Sequence, residues 1–259
     1  MPGARLPRRL NRARRPVEKV IYLLWRDGAP GSGDALRDEL LGETAPRLLA
    51  SGARGLGVNV HDTAAAEAPS PAPPPAGEAP HAAEVSVWLD TYQRRREAEA
   101  AIADLGLRSA AYLVAESLYD DYGTTPHARP RHWVDGDRSP GVLTVALIHR
   151  PEGLDYLEWI RRWHGTQSPV SGELQPRTRY VRNEVVRPLT EGAPEVDGIV
   201  EEGWPSAGHV ADPLLFFNAT SDEELSANLS RMMASVEACL DLGRLRSATM
   251  SEYLFKSPD

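Results

Sequence analysis

Apolar runs of strand length recur along the chain, separated by stretches whose apolar residues return every three or four positions. Residues 20–26, 56–61, 85–89 and 111–119 read as four strands in the first half. Residues 142–150, 179–187, 214–217 and 249–255 read as four more in the second. Residues 34–41 and 154–164 are helical in period, Thr44 and Thr166 fall just beyond them, and a helix is expected after each third strand. Both halves therefore predict the order β-α-β-β-α-β.

An internal repeat supports that division. Asp104-Leu105-Gly106-Leu107-Arg108-Ser109-Ala110 returns as Asp241-Leu242-Gly243-Arg244-Leu245-Arg246-Ser247-Ala248, with one inserted arginine. Each copy follows a helical period and precedes a strand, so Gly106 and Gly243 are expected as left-handed helix caps. The expected fold class is α+β: two tandem ferredoxin-like repeats, each an antiparallel sheet with two helices on one face. Residues 17–122 form a degenerate first repeat, 123–139 a linker and 140–256 the second repeat. Each sheet would leave a face bare, and packing the two faces together as a pseudo-dimeric α/β barrel removes that surface from water. The alanine- and proline-rich segment 64–81 is expected to be a poorly ordered loop.

Composition narrows the function. The 259 residues are 41% hydrophobic and 25% charged, ordinary for a globular protein, and no run reaches the roughly 20 apolar residues that span a bilayer. Six of the 29 basic residues lie in residues 1–16, leaving 23 against 37 acidic ones. An acidic body repels polyanions, so nucleic-acid binding through it is excluded, and no membrane association is expected. The basic tail reads as a disordered extension. The lone Cys239, set among Met232, Met233, Val236 and Leu240, reads as a buried thiol in a reducing, cytoplasmic setting. Gly28 to Gly33 lacks the Lys-Ser/Thr of a P-loop and reads as a plain loop. The seven histidines show no HxH, HxxxH or HExxH spacing, so no metal is expected.

The second half resembles the EthD family of the dimeric α/β-barrel superfamily. The resemblance rests on His149-Arg150-Pro151-Glu152-Gly153-Leu154, on the helix from Tyr156 through Trp159 and Trp163 to His164, on Ser168-Pro169, and on Tyr180-Val181-Arg182-Asn183. Asp197-Gly198-Ile199-Val200-Glu201 is similar to the segment before the family's third strand. The first half is more distant, with Gly42 where the histidine should stand. The resemblance implies a cofactor-independent barrel acting by acid/base chemistry on a small hydrophobic carbonyl or polyketide-like aromatic molecule, as a decarboxylating, dehydrating or cyclising tailoring enzyme. The superfamily equally includes cofactor-free oxygenases of the quinol monooxygenase kind. A non-catalytic barrel that binds an apolar ligand or a partner protein stands beside both, and a homo-oligomer is left open.

His164 leads the catalytic candidates. On a helix it shares an azimuth with Leu157 and Ile160, and an imidazole there exchanges a proton near neutral pH. The competing reading is a packing histidine at a helix C-terminus. Gly42 at the matching place predicts one competent site, with the region around Gly42 filled. Glu252 and Glu116 lie on apolar rows of their strands and must be paired or protonated, with Arg182 as the expected partner. Asn183, on the row of Val181 and Val185, would orient a carbonyl or satisfy backbone. Trp159, Trp163, Tyr180, Trp204 and Phe217 would line an aromatic substrate pocket or simply fill the core.

Overall fold

Alternation along each strand decides which side chains turn inward, and in this chain it builds a closed barrel. The computed structural model describes residues 17–27 and 32–257; the basic tail and most of the glycine-rich stretch lie outside the described residues. The strands are β1 (Glu18–Trp25), β2 (Gly55–Val60), β3 (His81–Leu89), β4 (Arg108–Asp120), β5 (Val142–Ile148), β6 (Arg179–Pro188), β7 (Gly198–Trp204) and β8 (Arg246–Lys256). They close in the order β1-β3-β2-β8-β5-β7-β6-β4, with every neighbouring pair antiparallel. The order β4-β1-β3-β2 of the first half is repeated as β8-β5-β7-β6 in the second. Two seams join the halves, and they match: Asn59 on β2 stands opposite Glu252 on β8, and Asn183 on β6 stands opposite Glu116 on β4.

Inward residues of β1, β4, β5, β7 and β8 form an apolar lumen: Ile21, Leu23, Tyr112, Val145, Ile199 and Met250 among others. Outward residues meet helices. Tyr22, Leu24, Val58 and Val85 pack on α1 (Gly33–Glu39), α2 (Ala45–Ala50) and α3 (Arg96–Ala103). Ile148, Tyr180 and Val200 pack on Trp159 of α4 (Tyr156–Arg162) and on Trp163. Each fully buried large apolar side chain contributes about 1.5–3 kcal/mol.

Capping explains where the helices start. The Ser32 and Ser221 hydroxyls accept from backbone N–H groups of α1 and α8 (Asp222–Glu237), and Asp155 accepts from two on α4. Neither early helix stops where its apolar period fades. Both pass through one π-helical turn, Leu40–Thr44 and Trp163–Gln167, into α2 and α5 (Ser168–Leu174). Pro46 and Pro169 open the helices that follow. A proline has no N–H and crowds the carbonyl four residues back, which a widened turn absorbs. Thr44 and Thr166 are thus inside these turns, not beyond the helices. Aligning the turns sets Leu41, not Gly42, against His164. Gly42 is exposed, and a side chain there would meet open space rather than a filled region.

Three further expectations change. Residues 214–217 are not a strand: after the single-turn helix α6 (Gly208–Ala211), Pro213–Phe216 is a short helix, α7, capped by Asp212, and the third strand of the second half is β7. A four-residue apolar run does not distinguish strand from helix turn, and the preceding proline favours the helix start. Gly106 has the left-handed φ of 64° expected of a cap, but Gly243 does not, and α8 ends at Glu237. The segment 64–81 is an ordered strap. Ser70 Oγ donates to Ser247 O at 2.6 Å, Ser247 N donates to Ala72 O at 2.7 Å, and Thr249 Oγ1 donates to Pro69 O at 2.9 Å. Its own Ala65 and Ala68 are buried. Hydrogen bonds to β8, more than its own apolar content, fix this segment.

Between β4 and β5, residues 136–139 run beside β8, with Gly136 N donating to Leu254 O and Ser139 N to Glu252 O. Among the described residues no helix is long and apolar enough to cross a membrane.

Candidate functional site

Polar residues share the lumen with its apolar layer. Lys19 is 2% exposed and donates to Glu116 at 3.0 Å and Glu201 at 2.8 Å. Arg179 Nη1 lies 3.1 Å from both Glu201 and Glu252. The Tyr122 hydroxyl donates to Glu252 at 2.6 Å, and Trp88 Nε1 donates to Glu116 at 2.8 Å. Among the described residues Glu84 has no cation at hydrogen-bond distance; it accepts from Ser86 at 2.8 Å and Asn59 at 3.1 Å. Burial, reinforced by nearby Glu201, pushes the Glu84 carboxyl up to about 8. Lys19 and Arg179 overcome burial at Glu201 and hold it down at about 2.

Glu252 and Asn183 both belong to this network. Asn183 Nδ2 donates to Ile199 O and Glu201 at 3.0 Å, a role that satisfies backbone. Glu252, which is buried, and Glu116, which keeps some exposure, are both paired. Their cations are Arg179 and Lys19, and Arg182 is not among them. Alternation gives the reason: Arg179 shares the inward row of Val181, whereas Arg182 points outward to Ser117 and Ser168.

The Glu84 shift has a measurable consequence. The folded protein keeps a proton that the unfolded chain releases near the ordinary value of 4.5, so stability falls as pH rises from about 4.5 to about 8. At about 1.4 kcal/mol per pKa unit, the loss across this window is on the order of 5 kcal/mol. Glu84→Gln needs no proton, so urea unfolding at pH 5.5 and 8.5 should show a smaller decline for the variant. Parallel pH profiles would contradict this assignment.

A second region, outside the barrel, is a void. It measures about 270 Å³ and lies between the outer face of β5, β6 and β7 and α8, with Trp163 and Gln167 of the π turn and Gln175 just past α5. Ala146, Ile148, Val200, Met232, Val236 and Leu240 make it apolar, and Trp163 and Tyr180 give it aromatic walls. Pro71 and Ala72 of the strap cover one side. The polar lining is sparse: Thr144, Gln167, Gln175, Glu202 and Ser247.

Two of these groups can do chemistry. Burial raises the Glu202 carboxyl above the ordinary carboxylate range, with Arg177, 3.4 Å away, only partly opposing it. Gln167 is 8% exposed, and its Oε1 is buried without a hydrogen-bond partner. The π turn carries Gln167, so the local widening presents an amide to the void. Tyr180 receives a hydrogen bond from Trp163 Nε1 at 3.3 Å and lies under the Arg177 guanidinium at 3.8 Å. These contacts fix the ring as a wall.

His164 is not in this lining. Its ring lies against Trp163 at 4.7 Å, and Nε2 is 3.5 Å from Glu184 Oε1. Burial and the nearby Arg182 lower its pKa against the pull of Glu184. Leu157, expected on the same buried stripe, is 74% exposed, because the face of α4 that turns inward carries Trp159. Trp159 stacks behind Trp163 at 4.9 Å. Trp204 donates to Thr144 at 3.1 Å and stacks on Phe216 at 4.5 Å, so it braces two lining residues. Phe216 lines the void; Phe217 packs edge-on behind it. Cys239 is buried, its thiol pushed up to about 12 by desolvation. Among the described residues no group of three or more His, Cys, Asp or Glu is placed to hold a metal ion.

Sequence reasoning passed over Lys19, Glu84, Arg179, Glu201, Glu202 and Gln167. Lys19, Glu84 and Arg179 stand on inward rows of strands that read as largely apolar, such as Lys19-x-Ile21-x-Leu23. Glu201 and Glu202 were hidden as strand residues because β7 was read as a connection.

No family model matches the chain, and no curated protein matches it by sequence. Solved structures do. An anthrone oxidase-like protein matches with a TM-score of 0.50 at 12% identity, over 94% of this chain and 98% of its own. A candidate monooxygenase from Fusobacterium nucleatum subsp. nucleatum matches at 0.44 and 7%, over 94% of each chain. A mutant chlorite dismutase from Candidatus Nitrospira defluvii matches at 0.41 and 8%, over 91% of each. At 12% identity the first likeness is one of fold alone, an α/β barrel like the closed eight-stranded one described above.

Proposed function

We propose that the chain binds a small, largely apolar aromatic carbonyl compound in the cavity between sheet and helices and moves a proton on it through Glu202. The observation that carries this is the composition of the void: apolar and aromatic walls around one carboxyl of raised pKa and one unpartnered amide oxygen. A buried acceptor without a partner costs about 1–3 kcal/mol, which a ligand hydroxyl on Gln167 would recover. A carboxyl shifted upward is the better proton acceptor and donor near neutrality.

The anthrone oxidase-like neighbour suggests an anthrone as probe. Its methylene carbon is acidified by the ring carbonyl. Glu202 would take that proton, and the enolate would pass electrons to dioxygen. The carbon gains one oxygen atom from O₂ and the other leaves as water, giving the quinone. Without oxygen, the same proton transfer would serve dehydration or cyclisation of a polyketide-like substrate. Cofactor independence belongs to this reading.

The EthD resemblance of residues 140–256 and the tandem ferredoxin-like origin of the halves belong to it too. Their support is the repeated strand order, the two π turns before Pro46 and Pro169, and the matched Asn–Glu seams.

Occupancy of the void tests the binding step. Val236→Trp, on the helix wall, should lower anthrone affinity at least about tenfold, measured by quenching of tryptophan fluorescence, with the unfolding midpoint kept. Equal affinity in wild type and variant would place the ligand elsewhere.

A further inference from the structure

The barrel has a second cavity, of about 310 Å³, at the end where β1 and β5 run out. Trp25, Leu147 and Val196 give it an apolar surface. Glu78 to Pro80 of the strap wall one side, and Pro194 to Val196 the other. Arg108, Arg244 and Arg246 line it against two carboxylates, Glu78 and Glu195. This size is at the lower end for small-molecule sites and suits a single ring.

The three cations are not equally committed. Arg246 Nε is 3.1 Å from Glu78, and its Nη1 also donates to two backbone carbonyls. Arg108 pairs with Asp27 and lies over the Trp25 ring at 4.3 Å. Arg244 reaches Glu195 only at 3.7 Å, and that carboxylate is 92% exposed. A carboxylate inside the cavity would therefore find Arg244 the easiest cation to recruit.

His149 supplies a second, independent requirement. It lines the cavity, is 7% exposed, and its Nε2 lies 2.6 Å from Glu195 O. Burial disfavours its charged form, so Nε2 carries the proton it gives to that carbonyl and Nδ1 is a bare acceptor. Nδ1 is buried and has no partner. His81, also in the lining, is likewise kept neutral by burial, near 4, and gives its Nε2 proton to Val145 O at 3.2 Å. The cavity thus presents an apolar aromatic wall, a recruitable guanidinium and an unmet acceptor.

We infer that the barrel mouth is a second ligand site, distinct from the cavity holding Glu202, for a small aromatic carboxylate that also carries a hydroxyl. The ring lies on Trp25 and Leu147, the carboxylate pairs with Arg244, and the hydroxyl donates to His149 Nδ1. Ser247 borders both cavities and holds the strap through Ser70 and Ala72. The strap is therefore a wall of each.

Calorimetric titration of the full chain with 4-hydroxybenzoate, benzoate and phenol tests this. The account expects 4-hydroxybenzoate to bind with one site per chain, and each single-function analogue to bind about tenfold more weakly. Arg244→Gln should weaken 4-hydroxybenzoate by a similar factor without changing phenol. His149→Phe should remove the preference for 4-hydroxybenzoate over benzoate. Arg244 is half-exposed, so its variant reports on binding even if His149→Phe does not fold. Glu202→Gln should leave all three titrations unchanged, which separates this site from the catalytic reading. No saturable binding at millimolar 4-hydroxybenzoate, or binding indifferent to Arg244→Gln, or binding lost in Glu202→Gln, would each overturn the inference.

Discussion

Lys19→Met is expected to lower the free energy of unfolding by about 3–5 kcal/mol at neutral pH, the cost of removing one partner from a buried ion pair. Lys19 is the cation for Glu116 and shares Glu201 with Arg179, and its ammonium also lies 4.6 Å over the Trp88 ring. Without it, Arg179 alone faces Glu201 and Glu252, and Glu84 lies close by. The stranded carboxylates must then take up protons or admit water, and either costs stability. The penalty should shrink as pH falls, since protonation relieves the repulsion. Adding Glu201→Gln to Lys19→Met should recover part of the loss, because the two residues are in contact and their effects do not add. By contrast, breaking the exposed Arg47–Asp104 pair should cost under about 1 kcal/mol. Urea unfolding of the wild type and these three variants measures all of this. A loss under about 1 kcal/mol for Lys19→Met would mean that the lumen does not depend on its charge network.

Much of this architecture was legible in the chain, for a physical reason. A strand with one face in a barrel and the other under a helix is apolar nearly throughout, so residues 20–26 and 142–150 declare themselves. The repeated Asp-Leu-Gly segment divides the chain at matched places. What alternation could not settle was the type of a short apolar run. Residues 214–217 were read as a strand and are a helix turn, which hid β7 and with it Glu202. Extra width in a helix has no signal in hydrophobic period, so the π turns were invisible; Pro46 and Pro169 were the available clue. The strap was misjudged because its order comes from hydrogen bonds to β8, a partner 180 residues away in sequence.

Of the aromatic residues that read as either pocket lining or core, Trp163 and Tyr180 line the void, and Trp159 and Trp204 pack behind the lining. The polar candidates fell elsewhere. Glu252 and Asn183 turn into the lumen because they occupy inward rows, and His164 lies beside Glu184. Counting helix azimuth through residue 164 fails because the turn widens at Trp163.

If Glu202 moves the proton, Glu202→Gln should lower turnover of an anthrone by about 10²–10⁴-fold, the usual contribution of a general acid or base. The variant keeps the shape and a hydrogen bond for Arg177, so its unfolding midpoint should change little. Activity of the wild type should rise with pH through the raised carboxyl pKa, as the basic form develops. His164→Ala and His164→Gln should leave turnover largely intact. A His164 variant that folds but has lost turnover, beside an active Glu202→Gln, would return the proton transfer to His164.

Proton transfer can be observed without oxidation. Anthrone deuterated at its methylene carbon, incubated anaerobically with the chain in ordinary water, should lose deuterium faster than in buffer. That excess rate should vanish in Glu202→Gln and persist in His164→Ala. Exchange no faster than in buffer, or equally fast with Glu202→Gln, would contradict the account.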